Sequence, residues 1–244
     1  MIELARSFEL AAEAYERGRP EYAEKALDAV GLAPESVALD LAAGTGKLTR
    51  QLVARVARVI AVEPLDGMRS ILERVVPAAE ALKGTATEIP LEDEAVDAVF
   101  VGEAFHWFAT DAALHEIARV LRPGGTLAIL FNQSDGETEP PLPGGFWGAY
   151  RERAIVKEPE HTVSSGLWRA PFPGPFELLR EVSFPNPLVL DREGVLAHAA
   201  SWSMIAGLPE DERGDLLAEL ARQVPPGDYR FPLRTDVSWT TRRG

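Results

Sequence analysis

Between Val37 and Phe131 short apolar runs alternate with segments whose apolar residues recur at helical spacing. Val37–Ala43 is one such run, and it breaks into Gly44-Thr45-Gly46. An apolar run ending in glycines reads as a buried parallel strand and its turn. Leu48, Leu52, Val53 and Val56 then follow at helical spacing. Arg58–Val62 is the next strand, closed by Glu63-Pro64, and Asp66 is placed to cap a helix carrying Met68, Ile71, Leu72 and Val75. Ala81–Ala86 and Ala95–Gly102 are predicted as the third and fourth strands. Asp111 is placed to cap a helix with Leu114, Ile117, Ala118 and Leu121 on one face. Arg122-Pro123-Gly124-Gly125 stops that helix, and Thr126–Phe131 makes a fifth strand. Such alternation predicts an α/β chain with a parallel sheet and helices on both faces.

Outside this stretch the rhythm changes. Residues 4–17 read as a polar helix stopped at Gly18 and Pro20, and Glu21–Val30 as a second helix stopped by Gly31. Residues 134–175 are rich in Pro and Gly, with a helix expected over Gly145–Val156, and read as an insertion or lid. Phe176–Phe184 is predicted as a strand, Asp191–Ile205 and Pro209–Val224 as helices, and Thr235–Thr240 as a last strand. The expected organisation is one domain over 1–244. It has an alternating core at about 21–133, the insertion at about 134–175, and a sheet-completing segment at about 176–244.

Composition removes several function classes. The 244 residues carry a net charge of −13, which repels a phosphate backbone, so no nucleic-acid partner is expected. There is no cysteine, hence no disulfide, no thiolate nucleophile and no cysteine-ligated zinc; a cytoplasmic location is expected. No apolar stretch reaches the roughly 18 residues of a membrane span, and Met1–Arg6 does not read as a signal peptide. His115-Glu116 resembles the start of a zinc-protease helix, but Arg119 stands where the second histidine belongs, and no metal site is expected.

The glycine turn can be tested against three cofactors. A nucleotide-triphosphate loop fails at Leu41 and Leu48, which replace its first glycine and its Ser/Thr. A dinucleotide fingerprint starts well at Gly44 and Gly46 but meets Thr49 at its third glycine. S-adenosylmethionine has no phosphates and offers an ammonium, a carboxylate, a sulfonium and two ribose hydroxyls. Asp40 lies near the turn, and Glu63 ends the next strand within reach of a ribose. Glu63 would equally suit a nicotinamide cofactor.

Asp40-Leu-Ala-Ala-Gly-Thr-Gly46 resembles motif I of the Rossmann-like, class I S-adenosylmethionine-dependent methyltransferases. Gly84-Thr-Ala-Thr-Glu-Ile-Pro90 resembles that family's segment after the third strand. Asp97-Ala-Val-Phe-Val-Gly-Glu-Ala-Phe-His-Trp-Phe108 resembles its fourth-strand segment, and Leu121-Arg-Pro-Gly-Gly-Thr-Leu127 the turn before its fifth strand. The likeness runs over roughly residues 8–133. The run Phe105–Phe108, with Tyr15 and Arg19-Pro20 upstream, is similar to the small-molecule "type 11" branch that includes trans-aconitate methyltransferase-like proteins.

The resemblance implies a doubly wound, mostly parallel seven-stranded sheet with an antiparallel last strand. It implies S-adenosylmethionine as cofactor and a small-molecule acceptor. Gly44 and Gly46, with Ala42 in the same turn, would let the backbone meet the methionine part; Asp40 would act near it through water. Glu63 would hold the ribose hydroxyls, with Pro64 and Leu65 flanking adenine. Thr85 stands where many relatives have an aspartate facing the adenine amino group, which shifts that contact to the Ala86 backbone. Glu103 would lie beside the cofactor, and Tyr15 and Arg19 would close over it.

His106 is the candidate catalytic residue, either as a general base or as a histidine that shapes the pocket wall. Trp147, Trp168 and Trp202 belong to the pocket or to packing, and Arg153, Arg169 or Arg192 could receive an anionic acceptor. A nicotinamide-dependent oxidoreductase and a non-catalytic binding module are the competing functions. The sequence leaves the acceptor atom and the oligomeric state open.

Overall fold

A computed structural model describes residues 11–136, 141–153 and 162–244. The start of the predicted helix at 4–10, the end of the one at 154–156, Glu137, Glu139 and His161 lie outside these residues. Five parallel strands form the first half of the sheet: β1 Val37–Leu41, β2 Arg58–Val62, β3 Glu80–Leu82, β4 Val96–Gly102 and β5 Leu121–Ser134. β6 Arg180–Pro185 and β9 Leu233–Thr241 complete it, in the order β3-β2-β1-β4-β5-β9-β6. β9 runs antiparallel to both β5 and β6, as the expected architecture requires. β7 Leu188–Asp191 and β8 Asp228–Phe231 pair in a separate two-stranded sheet that the sequence did not announce. Each holds only four residues, so its alternation in burial is too brief to mark a strand in the sequence.

Side chains of a strand alternate between faces, and here both faces are covered. Leu39, Leu41, Val99, Val101, Leu127 and Ile129 pack on one side with Leu114 and Ile117 of α5 Asp111–Val120. Ala38, Val59, Ala98, Phe100 and Leu130 pack on the other, against α2 Glu24–Val30 and α3 Lys47–Val53. α1 Ala12–Gly18 and α4 Asp66–Val75 meet through Ala12, Met68 and Ile71. A third apolar cluster lies apart from both sheet faces. It joins α6 Gly144–Arg153, α7 Arg192–Ala200, α8 Ser203–Ala206 and α9 Glu210–Gln223 through Phe146, Val195, Ile205, Leu216 and Leu220.

Several boundaries differ from expectation for local reasons. α2 starts at Glu24 rather than Glu21, because the Tyr22 amide donates to the Gln51 side chain and the chain is not yet helical there. Thr110, not Asp111, caps α5: its hydroxyl accepts from the Ala113 amide at 3.3 Å. Asp66 is the first residue of α4 rather than its cap, and its carboxylate pairs with Arg69 and Lys83. β3 ends at Leu82, since Thr85 and Glu88 bond each other in a tight turn. β5 begins at Leu121, with the Arg122–Gly125 turn absorbed as a register shift against β4. Phe176 makes only an isolated bridge, and the expected helix 191–205 divides at Ser201 and Trp202 into α7 and α8. Among the described residues no helix is long and apolar enough to cross a membrane.

Candidate functional site

β2 and β3 extend the sheet to one side of β1, while β4 lies on the other. The strand order therefore reverses at β1, and ligands of such sheets bind outside the strands' carboxyl ends at that point. Backbone strain collects there. Ala42 has φ 58° and Glu103 has φ 60°, left-handed values uncommon for residues with a side chain. The two turn glycines differ. Gly44 has φ 58° and a Cβ there would meet nothing within 4 Å. Gly46 has φ 90°, and its Cβ would lie 2.5 Å from Leu72 Cδ1, so this glycine serves the packing of α4.

Two buried carboxylates back the turn. Glu63 accepts from the Gly44 amide at 2.8 Å and the Leu65 amide at 2.9 Å, which ties the ends of β1 and β2 together. Asp40 is buried, and the Thr49 hydroxyl donates to its Oδ2 at 2.6 Å. Its Oδ1 has no hydrogen-bond partner. Burial pushes the Asp40 carboxyl up to about 7, against the Thr49 hydrogen bond and aided by the Glu63 charge. Thr49, which argued against a dinucleotide, is thus the Asp40 partner.

α1 roofs the turn. The Arg19 guanidinium lies 5.4 Å from the Tyr15 ring centre and bonds the Ser201 hydroxyl at 2.9 Å. Burial holds the Tyr15 phenol well above its ordinary range, with Arg19 opposing. Glu16, which the sequence did not single out, accepts from the Thr45 hydroxyl at 2.7 Å and from Arg50 at 2.5 Å. Gly18 lets α1 touch α7: a Cβ there would lie 2.2 Å from the His198 amide nitrogen.

Beyond β4 the chain makes a single 3-10 turn, Phe105–Trp107. It presents a buried His106 whose ring lies 4.9 Å from Trp107 and 5.8 Å from Phe131. A cavity of about 840 Å³ connects these parts. Tyr15, Arg19, Ala42, Gly44, Glu63, Pro64, Leu65, Glu103 and His106 all line it. Asp40, Gly46, Thr85 and Ala86 do not: the first two stand behind the turn, Thr85 is exposed, and Ala86 is buried in the core. Trp147 and Tyr150 of α6, with Trp202 and Met204, form the far wall. Trp168 instead packs against Phe105 and Phe131 in the core.

None of the three arginines named as anion receivers reaches the cavity. Arg153 pairs with Glu219, Arg169 with Glu181, and Arg192 donates to the Val224 and Ala221 carbonyls. Arg151 lines the cavity in their place. The sequence pointed to Arg153, two residues on, since nothing local marks which side of α6 faces the cavity.

The family described as "Methyltransferase domain" matches residues 39–129. An uncharacterized methyltransferase of Mycobacterium tuberculosis is 49% identical over 133 residues, 54% of this chain and 55% of that protein. The chain thus spans about half the length of that curated relative. An uncharacterized methyltransferase-like protein of Schizosaccharomyces pombe is 36% identical over 222 residues, 86% of this chain and 84% of the other. Among solved structures, the YcgJ protein of Bacillus subtilis superposes with a TM-score of 0.55 at 19% identity, over 89% of this chain and 96% of that one, which is a likeness of fold. With the yeast relative matched across most of both chains and the domain family covering the glycine turn and β4, the chain belongs to the class I S-adenosylmethionine-dependent methyltransferase family.

Proposed function

We propose that the protein binds S-adenosylmethionine at the glycine turn and transfers its methyl group to a small-molecule acceptor in the same cavity. The observation that carries this reading is the continuity of that cavity, from Gly44 and Glu63 to the aromatic wall of α6 and Trp202. A donor and an acceptor held in one chamber need only be aligned and kept from water. The narrower likeness to trans-aconitate methyltransferase-like proteins fits a small acceptor of this kind.

The residues present suit the cofactor. The open space at Gly44 leaves room for a ligand against the backbone, and the unpartnered Asp40 Oδ1 behind the turn is an acceptor available for a water-mediated contact. Glu63 holds the ribose hydroxyls. Pro64, Leu65 and Met68 embrace adenine, since Thr85 and Ala86 stand outside the cavity lining. Glu103 and the Tyr15–Arg19 pair close around the methionine part. When bound, S-adenosylmethionine supplies a methyl group already activated by its sulfonium. His106 takes the acceptor's proton where the nucleophile carries one. No nucleophilic side chain is required, which accords with a chain that has no cysteine.

The test is thermal unfolding with S-adenosylmethionine, S-adenosylhomocysteine or NADH. Either of the first two, at about 100 times its Kd, should add roughly 2.7 kcal/mol of stability and NADH none. For a chain of this size that is a rise of about 5–11 °C. Glu63→Ala should abolish the rise. Stabilisation by NADH alone would favour an oxidoreductase, and binding without turnover of any acceptor would favour a non-catalytic module.

A further inference from the structure

The two ends of the cavity differ in chemistry. The cofactor end carries its charges on Arg19, Glu63 and Glu103, and each already has a hydrogen-bond partner: the Ser201 hydroxyl, the Gly44 and Leu65 amides, and the Asn132 amide. The far end is aromatic. Trp147 and Trp202 stack with centroids 5.9 Å apart and an interplanar angle of 9°, and Tyr150 meets Trp202 edge-on at 5.2 Å. Rigid, flat walls of this kind favour a flat apolar ligand. The charged side chain that α6 brings to this end is Arg151. It is exposed and has no hydrogen bond or ion pair among the described residues. Two residues on, Arg153 is paired with Glu219 at 3.2 Å. Arg19, the other arginine in the lining, also has no ion pair among the described residues but is bonded to the Ser201 hydroxyl and carbonyl, so Arg151 is the lining guanidinium that no described residue engages. A guanidinium there matches a carboxylate or a similar anion in a two-pronged contact. The strongly negative molecule disfavours a polyanion, so one cation suits one charge.

We propose that the acceptor is a flat, largely apolar molecule bearing a single anionic group, which Arg151 holds at the cavity rim while the stacked tryptophans receive the body. The assignment of this molecule as acceptor rests on the methyltransferase reading; its binding does not. Calorimetric titration of the full chain, saturated with S-adenosylhomocysteine, with naphthoate and with its neutral isostere naphthamide tests it. Naphthoate should bind at least about tenfold more tightly than naphthamide, a preference of about 1.4 kcal/mol. Arg151→Gln should erase that preference and leave affinity for S-adenosylhomocysteine unchanged, while Arg151→Lys keeps part of the preference. Trp147→Leu should weaken both probes alike. Equal binding of the two probes, binding of neither, or a preference that survives Arg151→Gln overturns the proposal. So does an Arg151→Gln variant that loses S-adenosylhomocysteine instead, which would assign the guanidinium to the cofactor's carboxylate. If S-adenosylhomocysteine fails to bind the wild type, the methyltransferase reading falls, and the same titrations without it still judge Arg151.

Discussion

Gly44 and Gly46 sit two residues apart in one turn and do different work. Alanine at position 46 must adopt a left-handed backbone and press its Cβ on Leu72, so Gly46→Ala should cost roughly 2–4 kcal/mol in urea unfolding. At position 44 only the backbone penalty of about 1–2 kcal/mol applies, and the larger effect of Gly44→Ala should be lost affinity for S-adenosylhomocysteine. Asp40 offers a second test at this scale. Its folded carboxyl titrates near 7 against an ordinary 3.8, so the folded state holds a proton that the unfolded chain has released between those values. The favourable contribution is present below 3.8 and is lost as pH rises through about 7. Asp40→Asn, which can still accept from Thr49, should therefore gain stability relative to wild type as pH is raised from 4 to 8, read as a difference in urea midpoints. The sequence marked Asp40 as a ligand neighbour; its burial and its unpartnered oxygen depend on Thr49 and Glu63 closing around it in three dimensions.

At the scale of elements, the joint between α1 and α7 is the informative one. His198 lies buried in α7, and its Nδ1–H donates to the Gly18 carbonyl at 2.9 Å. Burial, helped by the nearby Arg19 charge, pushes its pKa down to about 3 from 6.5. The unfolded chain thus takes up a proton first on acidification, and stability from this group is present above 6.5 and lost toward 3. At pH 4 the loss amounts to roughly 3 kcal/mol. His198→Gln, whose amide can donate to the same carbonyl, should flatten the acid limb between pH 6.5 and 4. Gly18→Ala should detach the roof at every pH, since the atoms its Cβ meets are backbone of α7. The core elements β1, β2, β4 and α5 were legible because their apolar runs are long and buried. β7, β8 and the division at Ser201 were not, because the two strands are only four residues long and the contacts that fix these segments come from distant parts of the chain. The caps were misread by one residue, since Thr110 and Asp111 are both good capping residues and only geometry chooses between them.

For the whole molecule, the cofactor half and the aromatic half rest on different apolar clusters. Phe146 has no exposure and packs edge-on to Trp147 and Trp202, so Phe146→Ala should cost about 3–5 kcal/mol and weaken naphthoate binding far more than S-adenosylhomocysteine binding. Equal loss of both ligands would show that the clusters act as one. The sequence placed the Gly44 end of the cavity: Gly44, Glu63 and His106, all in its lining, follow from the ends of three recognisable strands. It named Trp147 and Trp202 without choosing between pocket and packing, and it hid Arg151, because these residues converge from segments about 50 residues apart. That separation bears on inheritance. On the proposed function, descendants of this chain can rewrite the helices that carry the tryptophans, and so change diet, while passing on unaltered the strand ends that hold the methyl donor. Divergence among relatives should then concentrate in residues 141–233, and a chimera exchanging that stretch should keep its cofactor and acquire the donor parent's taste in acceptors.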